Sequence, residues 1–473
     1  MPGIEVRLED QVVTTDASGQ FSIRRGAPPY RLSLSRPGQS AVIRDVSEVE
    51  SLSTVVLLLD PKVRREEMVE VFGVPKDDPS PASIPIRPQQ VLQVAGAVDN
   101  VFRALQTLPG VAAAEEFGSR LAVRGGTPDQ NLTVMDGVEI HNPYRLFGLT
   151  SAFNPETVRG FELLGGAFGA KYGDRLSSLL LVDNRDGRAA GFGGASALSL
   201  TDANVVLEGG LPREAKGSWL VTARRTYYDL FAERFTDSQL PGFADVQARA
   251  VFAPGDGRRL SLVALRSRES TDAAFTNDRP GESGEFVTAA RDDLLSLGFE
   301  TNLGSRSRSR TKLSFYRNAD DVDVDALFRA EARRSNAVDD QVGFSLADVV
   351  FTRGLSVRDL SARQDFAWQA SDRHLIESGG EVHSLSTAVS WRIAGDRNPS
   401  EANGSSARGG VGLPSQLDSD LGGTRSGVYV QDRFQMMDRL VLEPGLRLDH
   451  STVNGRAILQ PRLAANVFLG GKT

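Results

Sequence analysis

Arg439-Leu440-Val441-Leu442-Glu443-Pro444-Gly445-Leu446-Arg447-Leu448-Asp449 alternates with a two-residue period. Leu440, Leu442, Leu446 and Leu448 share one face of an extended strand, while Arg439, Glu443, Arg447 and Asp449 share the other. The pattern recurs on both sides of this stretch. Leu295, Leu297, Phe299 and Leu303 oppose Ser296, Glu300 and Asn302; Leu463, Ala465, Val467 and Leu469 oppose Arg462 and Asn466. A face that carries charges at every second residue meets water or polar protein.

From about residue 190 to the end there is almost no helical periodicity, and about twelve such strands can be counted. Tight turns near Pro254-Gly255-Asp256-Gly257, Gly304-Ser305, Ser371-Asp372 and Met437-Asp438 alternate with long polar loops at about 269–290, 320–358 and 394–424. Short connections on one side and long ones on the other predict a membrane β-barrel of the outer-membrane type. The alternative is a soluble β-sandwich or propeller, architectures that rarely keep this asymmetry.

Composition bounds the remaining classes. The chain has 473 residues, 40% hydrophobic and 24% charged, enough for two or three globular domains. No apolar run approaches the roughly 18 residues of a membrane helix; the longest tidy one is Val55 to Leu59. A net charge of −7 argues against a nucleic-acid surface, and the short run Ser305 to Arg310 reads as a solvated turn. Without cysteine there is no disulfide framework, CxxC zinc cluster or thiol nucleophile. Met1-Pro2-Gly3-Ile4-Glu5 has neither the basic nor the apolar region of a signal peptide.

Upstream of the strand-rich half, residues 1–61 read as a small β-sandwich. Its strands are expected at Ile4 to Leu8, Gln20 to Ile23, Tyr30 to Ser35, Ala41 to Arg44 and Thr54 to Leu59, with a turn at Thr15-Asp16-Ala17-Ser18-Gly19. Residues 62–87 are polar and rich in proline, an extended linker that contains the strand-former Glu66 to Phe72. Residues 88–188 read as a compact α+β unit. There Asp99 can cap a helix with Val101, Phe102, Leu105 and Leu108 on its apolar face, and Pro109-Gly110 stops it. Leu132 to Met135 and Val138 to Ile140 flank Asp136-Gly137, a type I′ hairpin signal. Asn154 caps a turn with Pro155 behind it, and Phe161 to Leu164 and Ser178 to Val182 are further strands. The fold class is thus mainly β: a small sandwich, an α+β plug, then an incomplete antiparallel barrel over 190–473.

Several short motifs carry a family resemblance. Leu108-Pro109-Gly110-Val111, Val123-Arg124-Gly125-Gly126, Val134-Met135-Asp136-Gly137-Val138, Phe153 to Val158 and Lys171-Tyr172-Gly173-Asp174-Arg175 occur in one order. Together they resemble the plug domain of TonB-dependent outer-membrane receptors. Leu211 to Tyr228, Tyr429 to Arg433, Pro444 to Asp449 and Pro461 to Leu463 resemble barrel strands of the same family. Pro2 to Val6, Thr15 to Phe21 and Leu57 to Pro61 resemble a carboxypeptidase-regulatory-like, transthyretin-type sandwich whose first strand is missing.

The resemblance implies uptake of a scarce nutrient such as an iron chelate, cobalamin or oligosaccharide across the outer membrane of a Gram-negative bacterium. It implies a periplasmic N-terminal domain, outer-membrane lipid around the barrel, and energy from the partner TonB. Glu67, Met68, Val69, Glu70, Val71 and Phe72 stand where the TonB box belongs, and a strand-former on a proline-rich tether can add an edge to a partner's sheet. A plain linker is the other reading. Arg124 and Arg175 resemble plug arginines that face acidic groups of the wall, with Glu300 and Glu443 as possible partners, or else they are surface residues. His141, Asn142, Tyr144, Arg145 and Phe147 follow the hairpin and form either a ligand-facing apex or a structural loop.

Nothing in the sequence supports catalysis, a cofactor or a metal. His374-Leu375-Ile376-Glu377 has the spacing of a zinc pair, but on a strand i and i+3 point to opposite faces. Gly471-Lys472-Thr473 resembles the end of a phosphate loop whose first glycine would fall on Asn466. Two other readings stand beside the receptor: a surface-binding or adhesion protein, and an inactive truncated fragment. About twelve strands against the 22 of plugged transporters leave two unpaired edges, and open edges do not persist in lipid. The chain is therefore expected to be cut at both ends.

Overall fold

The computed structural model describes residues 5–8, 11–16, 20–22, 30–35, 42–46, 83–94, 100–114, 119–166, 168–199, 202–212, 215–227, 239–255, 257–276, 283–330, 345–394, 416–437 and 439–467. The chain divides into two compact units, Met1–Val71 and Phe72–Thr473.

In the first unit the described residues form one antiparallel sheet. It contains β1 (Glu5–Leu8), β2 (Gln11–Thr14), β3 (Tyr30–Ser35) and β4 (Val42–Val46), in the order β2-β1-β3-β4. One expectation is corrected here. The second strand is Gln11–Thr14, and Gln20 to Ser22 are not extended into the sheet. The Asp16 amide donates to the Gln20 carbonyl and its carboxylate accepts from the Gln20 amide, both at 2.9 Å, across the expected turn. The strand expected at Thr54 to Leu59 and the candidate TonB box lie outside the described residues.

The second unit begins with a small α+β body. Its elements are β5 (Ile84–Ile86), α1 (Pro88–Gln93), α2 (Val101–Leu105), β6 (Val111–Ala113), β7 (Leu121–Val123), β8 (Asn131–Met135), β9 (Val138–Glu139), β10 (Tyr144–Arg145), β11 (Thr150–Ser151), β12 (Val158–Leu164) and β13 (Ser178–Asn184). The central sheet runs β5-β12-β13-β8-β9, parallel only between β13 and β8. Ile84–Ile86, at the end of the proline-rich stretch, is its edge strand. The cap of α2 is Asn100, whose side chain accepts from the Phe102 amide at 3.0 Å and donates to the carbonyls of Gly148 and Leu149. Asp99 lies outside the described residues. Asp136 and Gly137 adopt φ of 48° and 78°, the paired left-handed conformation of the type I′ turn.

The rest of the unit is one twelve-stranded antiparallel sheet in chain order. Its strands are β14 (Phe192–Leu198), β15 (Asp202–Gly210), β16 (Gly217–Thr226), β17 (Gln239–Gly255), β18 (Arg258–Thr276), β19 (Ser283–Asn302), β20 (Ser307–Ala330), β21 (Ser345–Ser371), β22 (His374–Ala394), β23 (Gln416–Met437), β24 (Leu440–Ser451) and β25 (Arg456–Val467). Among the described residues β14 and β25 do not pair, so the barrel is open.

The expected long loops are in part strand. β18 runs to Thr276 and β19 begins at Ser283, β20 runs to Ala330 and β21 begins at Ser345, and β23 begins at Gln416, all within the stretches read as loop. At about 3.3 Å per residue the 27 residues of β21 far exceed the 9–11 that cross a bilayer. Beyond the bilayer both faces of a strand can be polar while the neighbouring strands still satisfy its backbone. Side-chain polarity therefore suggested loop where pairing makes strand.

The sheet is built inside out relative to a soluble protein. On β24 Glu443 and Arg447 are 4% and 2% exposed, whereas Leu446 and Leu448 are 48% and 44% exposed. On β19 Asp292, Leu294 and Ser296 are buried while Leu295, Leu297 and Phe299 stand outward. Among the described residues the aliphatic face stays half exposed, and the polar face packs on the α+β body. That body shares one hydrophobic cluster with the wall: Phe102, Phe153, Phe161, Leu163 and Val182 meet Val263, Leu265, Leu294 and Tyr316. No helix among the described residues is long and apolar enough to cross a membrane.

Candidate functional site

The concave face of the sheet encloses the α+β body, and the functional chemistry lies where they meet. Three groups of contacts hold the plug.

The first surrounds the hairpin turn. The left-handed turn projects the Asp136 carboxylate, which accepts from the Asn184 amide at 3.0 Å and pairs with Arg249 of β17 at 2.9 Å. Arg249 and Arg259 of β18 also hold Asp186, in the segment that leaves β13. Burial raises the proton affinity of Asp186, but the two guanidiniums outweigh it and its carboxyl stays below the ordinary range.

The second group lies along 139–157. Arg145, 3% exposed, meets Asp292 of β19 at 2.9 Å and donates to Ser267 of β18 at 2.9 Å. Asp292 also accepts from the Tyr316 hydroxyl and from Asn318. Asn154, which caps its own turn through Glu156 N, donates to Asn204 of β15 and Thr222 of β16 at 3.0 and 2.9 Å. Glu139 pairs with Arg425 of β23 at 2.7 Å. Its burial raises its proton affinity, but Arg425 and then His383 outweigh it, so the carboxyl is held below its ordinary value of 4.5.

The third group closes on 169–174. Arg363 of β21 and Arg447 of β24 donate to the Lys171 carbonyl at 3.0 and 3.2 Å; Arg462 of β25 donates to the carbonyls of Gly169 and Tyr172. Arg363 is itself gripped by Asp365 and Glu381, and Arg447 by Glu381 and Asp449. Gly173 is dictated by this clamp. A Cβ there would lie 2.3 Å from Arg447 Nε, and the locked guanidinium has nowhere to go.

The two plug arginines singled out in the sequence do not meet Glu300 or Glu443 among the described contacts. Arg124 takes φ 49°, which folds its side chain back over Gly165 and Gly166 of the plug. Arg175 pairs with its own neighbour Asp174 at 2.6 Å, and Arg425 also binds that carboxylate. Glu300 pairs with Arg310, and Glu443 with Arg433, both within the wall. In the 141–147 segment Arg145 is committed to Asp292, and Tyr144 packs on Phe102 with ring centroids 4.6 Å apart. His141 and Asn142 are half-buried, and the side chain of Phe147 lies outside the described residues. His374 is bonded to Asp432, whereas Glu377 is bonded to Gln431 on the lumen side.

Sequence reasoning looked for cations on the plug and anions on the wall. The structure supplies mostly the reverse, with Arg249, Arg363, Arg425, Arg447 and Arg462 all reaching inward. One signal could have found them: each shares parity with the buried positions of its strand, as Arg425 does with Tyr429 and Gln431.

The sequence matches two family models: the TonB-dependent receptor plug domain over residues 76–178, and the TonB-dependent receptor-like β-barrel over 221–468, more than half of the chain. No curated protein matches. Among solved structures, a double mutant of the ferric enterobactin receptor PfeA from Pseudomonas aeruginosa is 16% identical, with a TM-score of 0.53 over 82% of this chain and 60% of that one. The outer membrane transporter YddB from Escherichia coli is 11% identical, with a TM-score of 0.55 over 84% and 59%. The copper transporter OprC is 15% identical, with a TM-score of 0.54 over 82% and 61%. The chain thus spans about 60% of the length of these structures, and at such identities the likeness is one of fold. The plug, the inside-out sheet and the two matched models agree: the chain belongs to the TonB-dependent receptor family.

Proposed function

We propose that the chain is part of an outer-membrane receptor of a Gram-negative bacterium that takes up a scarce nutrient with energy from TonB. The observation that carries this reading is the contrast between the two faces of the sheet. The outer face is aliphatic and suits lipid. Beside one shared apolar cluster, the inner face holds the plug through discrete ion pairs and carbonyl contacts, which can be broken and remade. Such an interface suits a plug that must be held and then displaced.

The named ligands of the similar structures, ferric enterobactin and copper, support a metal or metal chelate as the nutrient class. Cobalamin and oligosaccharides belong to the same reading. We assign Glu67 to Phe72 as the TonB box, because a strand-former on a proline-rich tether can pair with the edge of a partner's sheet. Residues 1–61 are read as a carboxypeptidase-regulatory-like domain on the periplasmic side, and the four-stranded antiparallel sheet supports that reading.

The experiment is a TonB pull-down with the unaltered chain and with Val69→Pro and Val71→Pro. Proline removes the amide that strand pairing needs, so capture should be lost. Capture that persists in both variants overturns the box. A chain that binds its ligand but never engages TonB would be a surface-binding or adhesion protein.

A further inference from the structure

Glu139 on β9, Asp359 on β21 and His383 on β22 converge at one point of the plug–wall interface. One donor atom of each lies within 4.8 Å of the other two. His383 and Asp359 are 5% and 3% exposed. Both Asp359 oxygens face His383 Nδ1, at 3.1 and 2.9 Å. A carboxylate at Nδ1 holds the ring proton there and leaves the Nε2 lone pair free.

That Nε2 lies 4.0 Å from Glu139 Oε1. The separation is too long for a hydrogen bond. One ion bound to both atoms at zinc's bond lengths would draw them to about 3.3 Å, the edge of a tetrahedron, a contraction of about 0.7 Å. A cavity of about 10 Å³, lined by both Glu139 and His383, opens at this point. That is close to the space one ordered water or one ion occupies.

A third donor is at hand. His141 Nε2 is buried without a hydrogen-bond partner among the described residues, and it lies 3.7 Å from Asp359 Oδ2. Three protein donors leave the fourth position of a tetrahedral ion open to water. Arg425 occupies Glu139 Oε2 at 2.7 Å and leaves Oε1 for a second partner. Lys312 also lines the cavity, and its ammonium is a competing cation.

We propose that Glu139, His141 and His383 bind one divalent transition ion of the zinc class, with Asp359 of β21 orienting the His383 ring, and that the ion staples the plug to β22. Two imidazoles with one carboxylate select such an ion over magnesium or calcium, which favour oxygen alone. The proposal is independent of the uptake reading.

The full chain, folded in detergent and stripped with a chelator, should take up one zinc per chain in equilibrium dialysis followed by metal analysis. Glu139→Gln and His383→Asn should each weaken uptake by ~100-fold or more, and Asp359→Asn by ~10–100-fold, the range for a carboxylate behind a metal-bound histidine. His374→Asn, whose ring is stacked on Phe434, is the control and should leave uptake unchanged. Cobalt(II) added to the unsubstituted chain gives a reading that no folding defect can confuse. Intense visible bands of four-coordinate cobalt, abolished by zinc, are expected. No stoichiometric zinc, a six-coordinate cobalt spectrum, or zinc uptake that survives both Glu139→Gln and His383→Asn overturns the site.

Discussion

Arg145 of the plug and Asp292 of β19 face each other at 2.9 Å with side chains 3% and 4% exposed, and each has further hydrogen-bond partners. A pair this deeply buried is weak evidence for net stability, since desolvation of both ions offsets their attraction. Removing one partner is another matter. Arg145→Met should destabilise the chain by about 3–5 kcal/mol, because Asp292 is left charged and buried. Arg145→Met with Asp292→Leu should recover much of that loss. Denaturant unfolding of the folded chain in detergent measures both, and an additive double mutant would refute the pairing.

The Asn154–Asn204–Thr222 triangle ties the plug to β15 and β16 by side-chain hydrogen bonds alone. Asn154→Ala takes the acceptor from the buried Asn204 Nδ2 while Thr222 stays bonded to Asn204, and it removes the cap of its own turn. The expected loss is about 1–3 kcal/mol. Hydrogen exchange should rise at Glu156 and Thr157 while the amides of β13 stay protected; uniform deprotection of the plug would contradict a local anchor.

Leu446 and Arg447 are neighbours with opposite surroundings. In a soluble sheet an exposed residue such as Leu446 tolerates charge within about 0.5 kcal/mol. In a bilayer Leu446→Lys should cost up to about 2–4 kcal/mol, depending on depth. Unfolding from lipid vesicles distinguishes the two, and a negligible cost in vesicles would argue against a lipid-facing position.

Glu139 links pH to plug docking. Its carboxyl is depressed in the folded state, so the stability it contributes is fully present above the ordinary value of 4.5 and is lost as pH falls through the lower folded value. Protease protection of the 131–139 hairpin in chelator-treated protein should therefore hold at neutral pH and decline as pH falls below the ordinary value of 4.5. Glu139→Gln should flatten that acid limb. An unchanged profile would assign the transition to other carboxylates.

Much of the wall was legible because period-two alternation is a local property. Leu440 to Asp449 announces its two faces without reference to any partner, and Asp136-Gly137 announces its turn because few residue pairs accept two left-handed conformations. Strand length was not legible. Once both faces are polar, as in the strand ends first read as loops, only pairing with a neighbour distinguishes strand from loop. Nor could composition choose partners. Arg124 and Arg175 have the charge to meet Glu300 and Glu443, but a positive φ at one and an adjacent carboxylate at the other turn them elsewhere.

The strand from Arg439 to Asp449 shows where the division falls. Its sequence alone determined that leucine and charge lie on opposite faces, because side-chain direction follows from backbone geometry at each residue. Which face meets the plug was decided by the tertiary structure, which brings Lys171 and Glu381 to Arg447 and leaves Leu446 and Leu448 about half exposed on the outer face. The same holds for Glu139, His141, Asp359 and His383. They are scattered along the chain, and their convergence arises only when the sheet curves around the plug, since long-range register is a property of the assembled sheet and not of any one strand.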